Sequence, residues 1–303
     1  MNTAMLLLVG EQPAPNLLPL RHLKSDVATL IYTDYTKRVA ENLRKILECD
    51  CNCLLCRVHP YNIPEIRNAV QRFLSENLSE HILTFNLTGG TKPMVLAAFS
   101  LAHSYGVSFL YFQTEGNCSQ LHHYRFYGNE IRLERVEDVL DTISLDDYLR
   151  IYVGSYETGA PRNELERQVK EVLAATPGLE VLWSICPQGL DALEIDCLIR
   201  LGNQVGVGEI KTKGAKSGID QINAVAEQRY LGTYVRKFLV SANPLDWNNS
   251  NLAQAYGIKV IEATSYSETG SLNVEDRQKL AETVVDLLGG SNDPSQLLPP
   301  SSH

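Results

Sequence analysis

Residues 81–94 read HILTFNLTGGTKPM, and the stretch changes character twice. Ile82 to Phe85 carry apolar, β-branched and aromatic side chains at strand length. The run then breaks at Asn86-Leu87-Thr88-Gly89-Gly90-Thr91-Lys92. Pro93 opens a second regular segment, MVLAAFSLAHSYG, so the order is strand, glycine turn, helix. Paired glycines let a backbone approach a ligand closely, and a proline at the first helical position gives up an N–H that has no intrahelical partner. Free N–H groups around Thr91 and Lys92, beside the Lys92 ammonium, suit a phosphate. A tight turn that merely ends a buried strand would show the same glycines. The first glycine of a Walker A loop is missing, and no G-x-G-x-x-G occurs in the chain, so neither a triphosphate nor a dinucleotide site is indicated.

Outward from this stretch the same alternation repeats. Ala4–Val9 and Val27–Tyr32 read as buried strands, and Cys53–Val58 and Val107–Phe112 as two more. Helical spacing runs through Val39, Leu43, Ile46 and Leu47, and again through Ile63, Ile66, Val70 and Phe73. Strands alternating with helices predict a doubly wound, parallel α/β sheet, whose ligands gather at the carboxyl ends of the strands. The loops 11–16, 33–35, 86–92 and 113–116 all follow strands and should meet on one edge. Gln120–Tyr127 and Glu130–Glu134 flank Gly128-Asn129 as a hairpin.

At 303 residues the chain has room for two domains of roughly 150 residues each. Its 44% hydrophobic and 21% charged content is that of a globular protein. No apolar run reaches bilayer length and the N-terminus has no secretory pattern, so a cytoplasmic protein is expected. The net charge of −9 argues against a broad electrostatic grip on nucleic acid and for a local cleft instead. Cys49, Cys51, Cys53 and Cys56 invite a zinc reading, but structural zinc usually draws pairs from separated segments. The run joins a helix end to a strand, where cysteine behaves as a small hydrophobe. A short helix is expected around Leu145–Tyr152, and the small, polar stretch VGSYETGAPRN that it precedes reads as a linker. The expected division is 1–140 for the first domain, 141–162 for the linker, 163–290 for the second domain and 291–303 for a disordered tail.

In the second half, Leu193–Arg200 and Val205–Thr212 read as strands around Gly202-Asn203. Alternation puts Glu209 and Lys211 on one face, and hairpin pairing brings Asp196 close to Glu209. Carboxylates are the ligands that Mg2+ or Mn2+ prefer, and a lysine beside them can orient water or stabilise a charged phosphate. Glu166 or Glu164, on a helix, can complete the set. A solvated hairpin face would carry the same residue types. Apolar neighbours on both sides of Asp196 and Glu209 make unpaired charge there costly, however.

A helix Glu, a strand Asp and E-x-K on the next strand resemble the PD-(D/E)XK nuclease superfamily. The resemblance implies metal ligation by Asp196, Glu209 and the Ile210 carbonyl, with Lys211 assisting attack on a phosphodiester and Glu166 as the less certain member. A helix Gln of that family corresponds to Gln221 or Gln228. Lys213, Lys216, Arg229, Arg236 and Lys237 would supply local positive charge. The first half, with GEQPAPN after one strand, Thr33 after the next and NLTGGTKPM after a later one, resembles CARF domains, the CRISPR-associated Rossmann-like sensors of cyclic oligoadenylates. Together the halves resemble DUF1887-type effector nucleases of type III CRISPR defence.

What the resemblance implies is a homodimer whose pocket binds a cyclic oligoadenylate, most readily the tetramer. Glu11, Gln12, Pro13, Asn16, Thr88, Gly89, Gly90, Thr91, Lys92 and Met94 would make contacts, with Thr33 and Asp34 at the rim. The binding would activate metal-dependent cleavage of single-stranded DNA, RNA or both. The rival expectations are a ring nuclease that degrades its own ligand and a non-catalytic binding protein.

Overall fold

In the computed structural model, residues 2–115, 118–189, 194–226, 230–232 and 235–289 are described. The chain divides into two compact units, Met1–Ile143 with Arg150–Tyr152, and Ser144–Leu149 with Val153–His303. The expected tail and the residues Leu193, Gly116, Gln228 and Arg229 lie outside the described residues.

The first unit alternates strands and helices as its apolar runs and caps dictate: β1 (Thr3–Leu8), α1 (Ala14–Leu23), β2 (Val27–Tyr32), α2 (Lys37–Leu47), β3 (Asn52–Arg57), α3 (Ile63–Asn77), β4 (Ile82–Asn86), α4 (Lys92–Tyr105) and β5 (Phe109–Glu115). β6 (Cys118–Tyr127) and β7 (Glu130–Asp138) follow as the expected hairpin, which extends the sheet in antiparallel sense. The seven strands lie in the order β3-β2-β1-β4-β5-β6-β7, with the first five parallel. Ala4, Leu6 and Leu8 of β1 and Phe85 of β4 pack with Ile66, Val70 and Leu74 of α3 and Ala97, Ala98 and Leu101 of α4 in one buried cluster. Helix α1 is not among the helices read from the sequence, which gives 11–16 as a loop after a strand. Pro15 lies in the first turn of α1, where no N–H is needed, and Pro19 is tolerated inside.

The stretch expected as a linker, 141–162, contains α5 (Leu145–Val153) and β8 (Tyr156–Thr158). The second unit continues with α6 (Glu164–Ala175), β9 (Glu180–Pro187), β10 (Ile195–Leu201), β11 (Gln204–Lys211), α7 (Ala215–Val225), β12 (Arg236–Ser241), α8 (Trp247–Ala255), β13 (Ile258–Glu262), α9 (Ser265–Thr269) and α10 (Val274–Leu287). Its six-stranded sheet has the order β13-β12-β11-β10-β9-β8. One face carries Cys197, Ile199, Ile210, Phe238 and Val240, which are buried with Leu165, Val169 and Leu173 of α6 and Leu280 and Val284 of α10. The opposite face is left for Asp196, Glu209 and Lys211, and α7 packs against β11 and β12. Among the described residues no helix is long and apolar enough to cross a membrane.

Candidate functional site

In the first unit the parallel strands β1, β2, β4 and β5 end on one edge, and the strand order reverses direction between β1 and β4. A crevice at such a reversal is where open α/β sheets bind ligands. The loops that follow β1 and β4 touch there. A Cβ added to Gly89 would lie 2.1 Å from the Leu8 carbonyl oxygen, and Gly90 has φ +73°, so glycine is required at both positions.

Side chains then fix the loop. The Asn86 amide donates to the Pro15 carbonyl (2.8 Å), and its Oδ1 accepts from the Thr88 N–H (3.1 Å) and hydroxyl (2.6 Å). Thr88 Oγ1 accepts from the Phe112 N–H at 2.7 Å. Thr91 caps α4 by accepting from the Met94 N–H (3.3 Å), while its hydroxyl donates to the Pro60 carbonyl (2.7 Å). The Thr88 and Thr91 hydroxyls are thus engaged in building the loop, and Pro93 sits one residue inside the start of α4, after Lys92.

The other residues named from the sequence fall into two sets. Pro13, Asn16, Thr33 and Met94 are buried, and Met94 belongs to the core cluster. Glu11, Asp34 and Lys92 are exposed at the edge. Gln12 Oε1 accepts from the Tyr152 hydroxyl at 3.0 Å. Asp34 pairs with Arg57 (2.5 Å), a residue at the end of β3 that sequence reasoning missed and that its place after a strand could have flagged. Asn16 is fully buried, yet neither its amide nitrogen nor its oxygen has a hydrogen-bond partner among the described residues. Gly89 lies beside it, with an added Cβ 3.5 Å from Asn16 Nδ2. A buried orphan amide is costly, which suits a residue held for a ligand.

In the second unit the β10–β11 hairpin pairs Cys197 with Gly208, which sets Asp196 opposite Glu209. Glu209 is 3% exposed, with Lys211 Nζ 2.6 Å from its Oε1. Asp196 Oδ2 accepts from the Ile210 N–H at 3.2 Å. Burial first, and the nearby Asp196 charge second, push the Glu209 carboxyl up to about 8, against the pull of Lys211. Lys211 pairs with Glu209, while Asp196 is held by the Ile210 N–H.

Glu166 is placed differently. Its carboxylate accepts from the Arg162 N–H (2.8 Å) and the Asn163 amide (2.6 Å), while its own N–H donates to Asn163 Oδ1 (3.0 Å), a reciprocal cap at the start of α6. Glu164 pairs with Arg167, which with the Gln168 amide holds its carboxyl at about 2. Among the described residues no group of three or more His, Cys, Asp or Glu is gathered to hold a metal, the four clustered cysteines included. All seven cysteines are free, and Cys56 packs into the core.

A divalent cation nevertheless fits. Mg2+ keeps several waters and takes only one or two carboxylates, and Asp196 and Glu209, set opposite one another, can supply two. Gln221 is exposed on α7, as are Lys213 and Lys216 nearby in sequence, while Arg236 and Lys237 are half-buried. Lys237 Nζ donates to Asn223 Oδ1 at 3.5 Å, and burial lowers its pKa.

Comparison with known proteins bears on the fold of the chain. Residues 4–148 match the family model of the Card1 CARF domain. That match spans nearly the whole of the first unit, which is joined here to a second α/β unit that carries paired acids and a lysine. The chain as a whole has the fold of Can2 from Sulfobacillus thermosulfidooxidans, solved in complex with cyclic tetra-adenylate, at TM-score 0.72 and 16% identity, covering 96% of this chain and 100% of that one. Protein VC1899 from Vibrio cholerae matches at TM-score 0.73 and 14% identity over 95% of this chain and 99% of its own. A type III CRISPR defence DNA nuclease activated by cyclic oligoadenylate matches at TM-score 0.54 and 15% identity, over 88% of this chain and 51% of that one. At these identities the likeness is one of fold. No curated protein matches the sequence.

Proposed function

We propose that this protein is a cyclic-oligoadenylate-activated, metal-dependent nuclease of CRISPR antiviral defence, acting in the cytoplasm. The observation that carries the reading is the buried Glu209 carboxyl, set opposite Asp196 and bonded to Lys211, on a chain whose other unit matches the Card1 CARF family model. Asp196, Glu209 and the Ile210 carbonyl would hold Mg2+ or Mn2+. When bound, the ion would polarise the attacking water and offset charge on the scissile phosphate. Glu209 gives up its proton as the site loads, because a carboxylate and not an acid is the ligand. Lys211, beside Glu209, would offer its ammonium to the developing charge on the phosphodiester.

In the first unit, two copies would bring their β1 and β4 loops together around one two-fold ring. The Can2 complex makes the tetramer the first ligand to try. Lys92 would meet phosphate, and Asn16, with Gln12 and Glu11, would meet base edges. Activation requires that the ring bind the active arrangement better than the idle one.

The test incubates full-length protein with Mn2+, a panel of cyclic oligoadenylates and labelled single- and double-stranded DNA and RNA. Cleavage of a single-stranded substrate that needs cyclic tetra-adenylate and disappears in Glu209→Gln is the expected result. A cleavage rate indifferent to every ring, or one that survives loss of both Asp196 and Glu209, would sink the reading.

A further inference from the structure

Ser184 lies within strand β9 with φ +50°, a left-handed conformation that strands do not use. The other described non-glycine residues with positive φ are Lys24, at a helix C-cap, and Asp141, at a bend. Those two have ordinary reasons to be there. Ser184 does not, and a backbone outlier inside a regular element points to a function that maintains it.

The ladder says what that function concerns. β9 and β10 pair Ile185 with Ile195 and Trp183 with Cys197, so Ser184 falls across from Asp196. Adjacent strands are about 4.8 Å apart, which puts Ser184 one strand spacing from the acidic pair. On its other side β8 pairs Thr158 with Ile185, which brings Gly159 alongside. The Gly159 N–H donates to the Ser184 carbonyl at 2.9 Å. A Cβ on Gly159 would stand 3.1 Å from both Cβ and Oγ of Ser184, so the missing side chain makes room for the serine. Ser184 is half-buried.

We propose that Ser184 is a substrate-positioning residue, whose hydroxyl donates a hydrogen bond to a phosphate oxygen of the nucleic-acid strand lying across Asp196 and Glu209. The proposal rests on the nuclease reading above. A neutral donor is suited to this place: it grips a phosphodiester oxygen without adding a cation that would compete for the carboxylates. The sheet order β11-β10-β9-β8 then gives the substrate a track, from Lys211 past Asp196 to Ser184.

The experiment compares full-length wild type, Ser184→Ala and Ser184→Gly. Cleavage of a labelled single-stranded DNA oligonucleotide is followed with Mn2+ and cyclic tetra-adenylate. Binding of the same oligonucleotide is measured by fluorescence anisotropy with Ca2+ in place of Mn2+, and thermal unfolding is recorded for all three. Both variants should lose about tenfold or more in kcat/KM and a similar factor in oligonucleotide affinity, the worth of a hydrogen bond to a charged group. Ser184→Gly should unfold no earlier than wild type, since glycine adopts the backbone freely. Wild type should discriminate between the two phosphorothioate diastereomers at the scissile position, and Ser184→Ala should lose that discrimination, which a purely structural serine would leave intact. Variants with wild-type kcat/KM and wild-type affinity overturn the assignment of Ser184 alone. A wild type that neither cleaves nor binds the oligonucleotide overturns the nuclease reading and this assignment with it. Should Ser184→Ala fail to fold, Ser184→Gly decides.

Discussion

Replacing Glu209 by Gln is expected to stabilise the metal-free protein, by an amount that grows with pH. In the unfolded chain this carboxyl titrates near 4.5, and in the folded unit burial and Asp196 raise it to about 8. Below pH 4.5 the group is protonated in both states and costs nothing. Between the two values the folded state keeps a proton that the unfolded state has released, so wild-type stability falls as pH rises, by ~1.4 kcal/mol per unit. Above about pH 8 the loss is complete. An interval of about 3.5 units makes the ceiling ~5 kcal/mol, lowered where Asp196 shares the proton. Gln removes the titration while keeping a carbonyl acceptor for Lys211. The assay is urea denaturation of the full-length protein in EDTA, followed by tryptophan fluorescence. Both tryptophans, Trp183 and Trp247, lie in the second unit, so the signal reports on the unit that holds Glu209. The two proteins should unfold alike at pH 4.5, diverge through pH 6 and 7, and hold a constant gap above pH 8.5. Adding Mn2+ should reverse the order, stabilising wild type but not the variant. A gap that ignores pH, or a variant less stable than wild type at pH 9, would refute the buried, proton-holding carboxyl.

Three further outcomes are expected. Gly89→Ala drives a methyl into the Leu8 carbonyl and should cost on the order of 3 kcal/mol or more, with cyclic tetra-adenylate binding lost by calorimetry. Lys92→Ala, at an exposed position, should change stability by less than about 0.5 kcal/mol while weakening cyclic tetra-adenylate binding by roughly tenfold. Affinity for Mn2+, measured by calorimetry without activator or substrate, should rise by roughly tenfold per pH unit up to pH 8 and then level off, since loading displaces the Glu209 proton.

The strands of the first unit were legible because each is a short apolar, β-branched run closed by turn residues, and β2 occupies the six residues the composition marks. Helix α1 was not. Prolines at 13, 15 and 19 look like breakers until Pro15 is seen in the one turn where a missing N–H is harmless. Strand β8 hides in a polar stretch because three residues are too few to show a period. The Asp196, Glu209 and Lys211 arrangement was legible because a two-residue hairpin turn and a period of two fix which side chains share a face. Glu166 shows the limit of spacing. Asn163 three residues before it is the signature of a capping pair, and the structure shows its carboxylate in that cap, a role the E-D-E-x-K pattern alone does not reveal. Ser184 gives no sequence signal at all, since a backbone angle decides its role.

One turn decides whether the acidic pair exists. Gly202-Asn203 closes the hairpin as a two-residue loop, with Leu201 paired to Gln204, and every pair up to Asp196 and Glu209 is counted from there. Side chains alternate faces with a period of two, so slipping β11 by one residue against β10 would carry Glu209 and Lys211 to the core face and Ile210 to the site. Ile210 would then leave the buried cluster it shares with Cys197, Ile199, Phe238 and Val240, and a charged side chain would enter it, which means the slip is resisted by apolar burial and not by the acids themselves. A glycine inserted after Asn203 therefore has two ways out. The loop can bulge and leave the register intact, in which case Mn2+ binding and its pH dependence survive, or the strand can shift, in which case the unit unfolds by tryptophan fluorescence. A folded insertion variant that has lost Mn2+ binding would show that the acids, and not the core, had been setting the register.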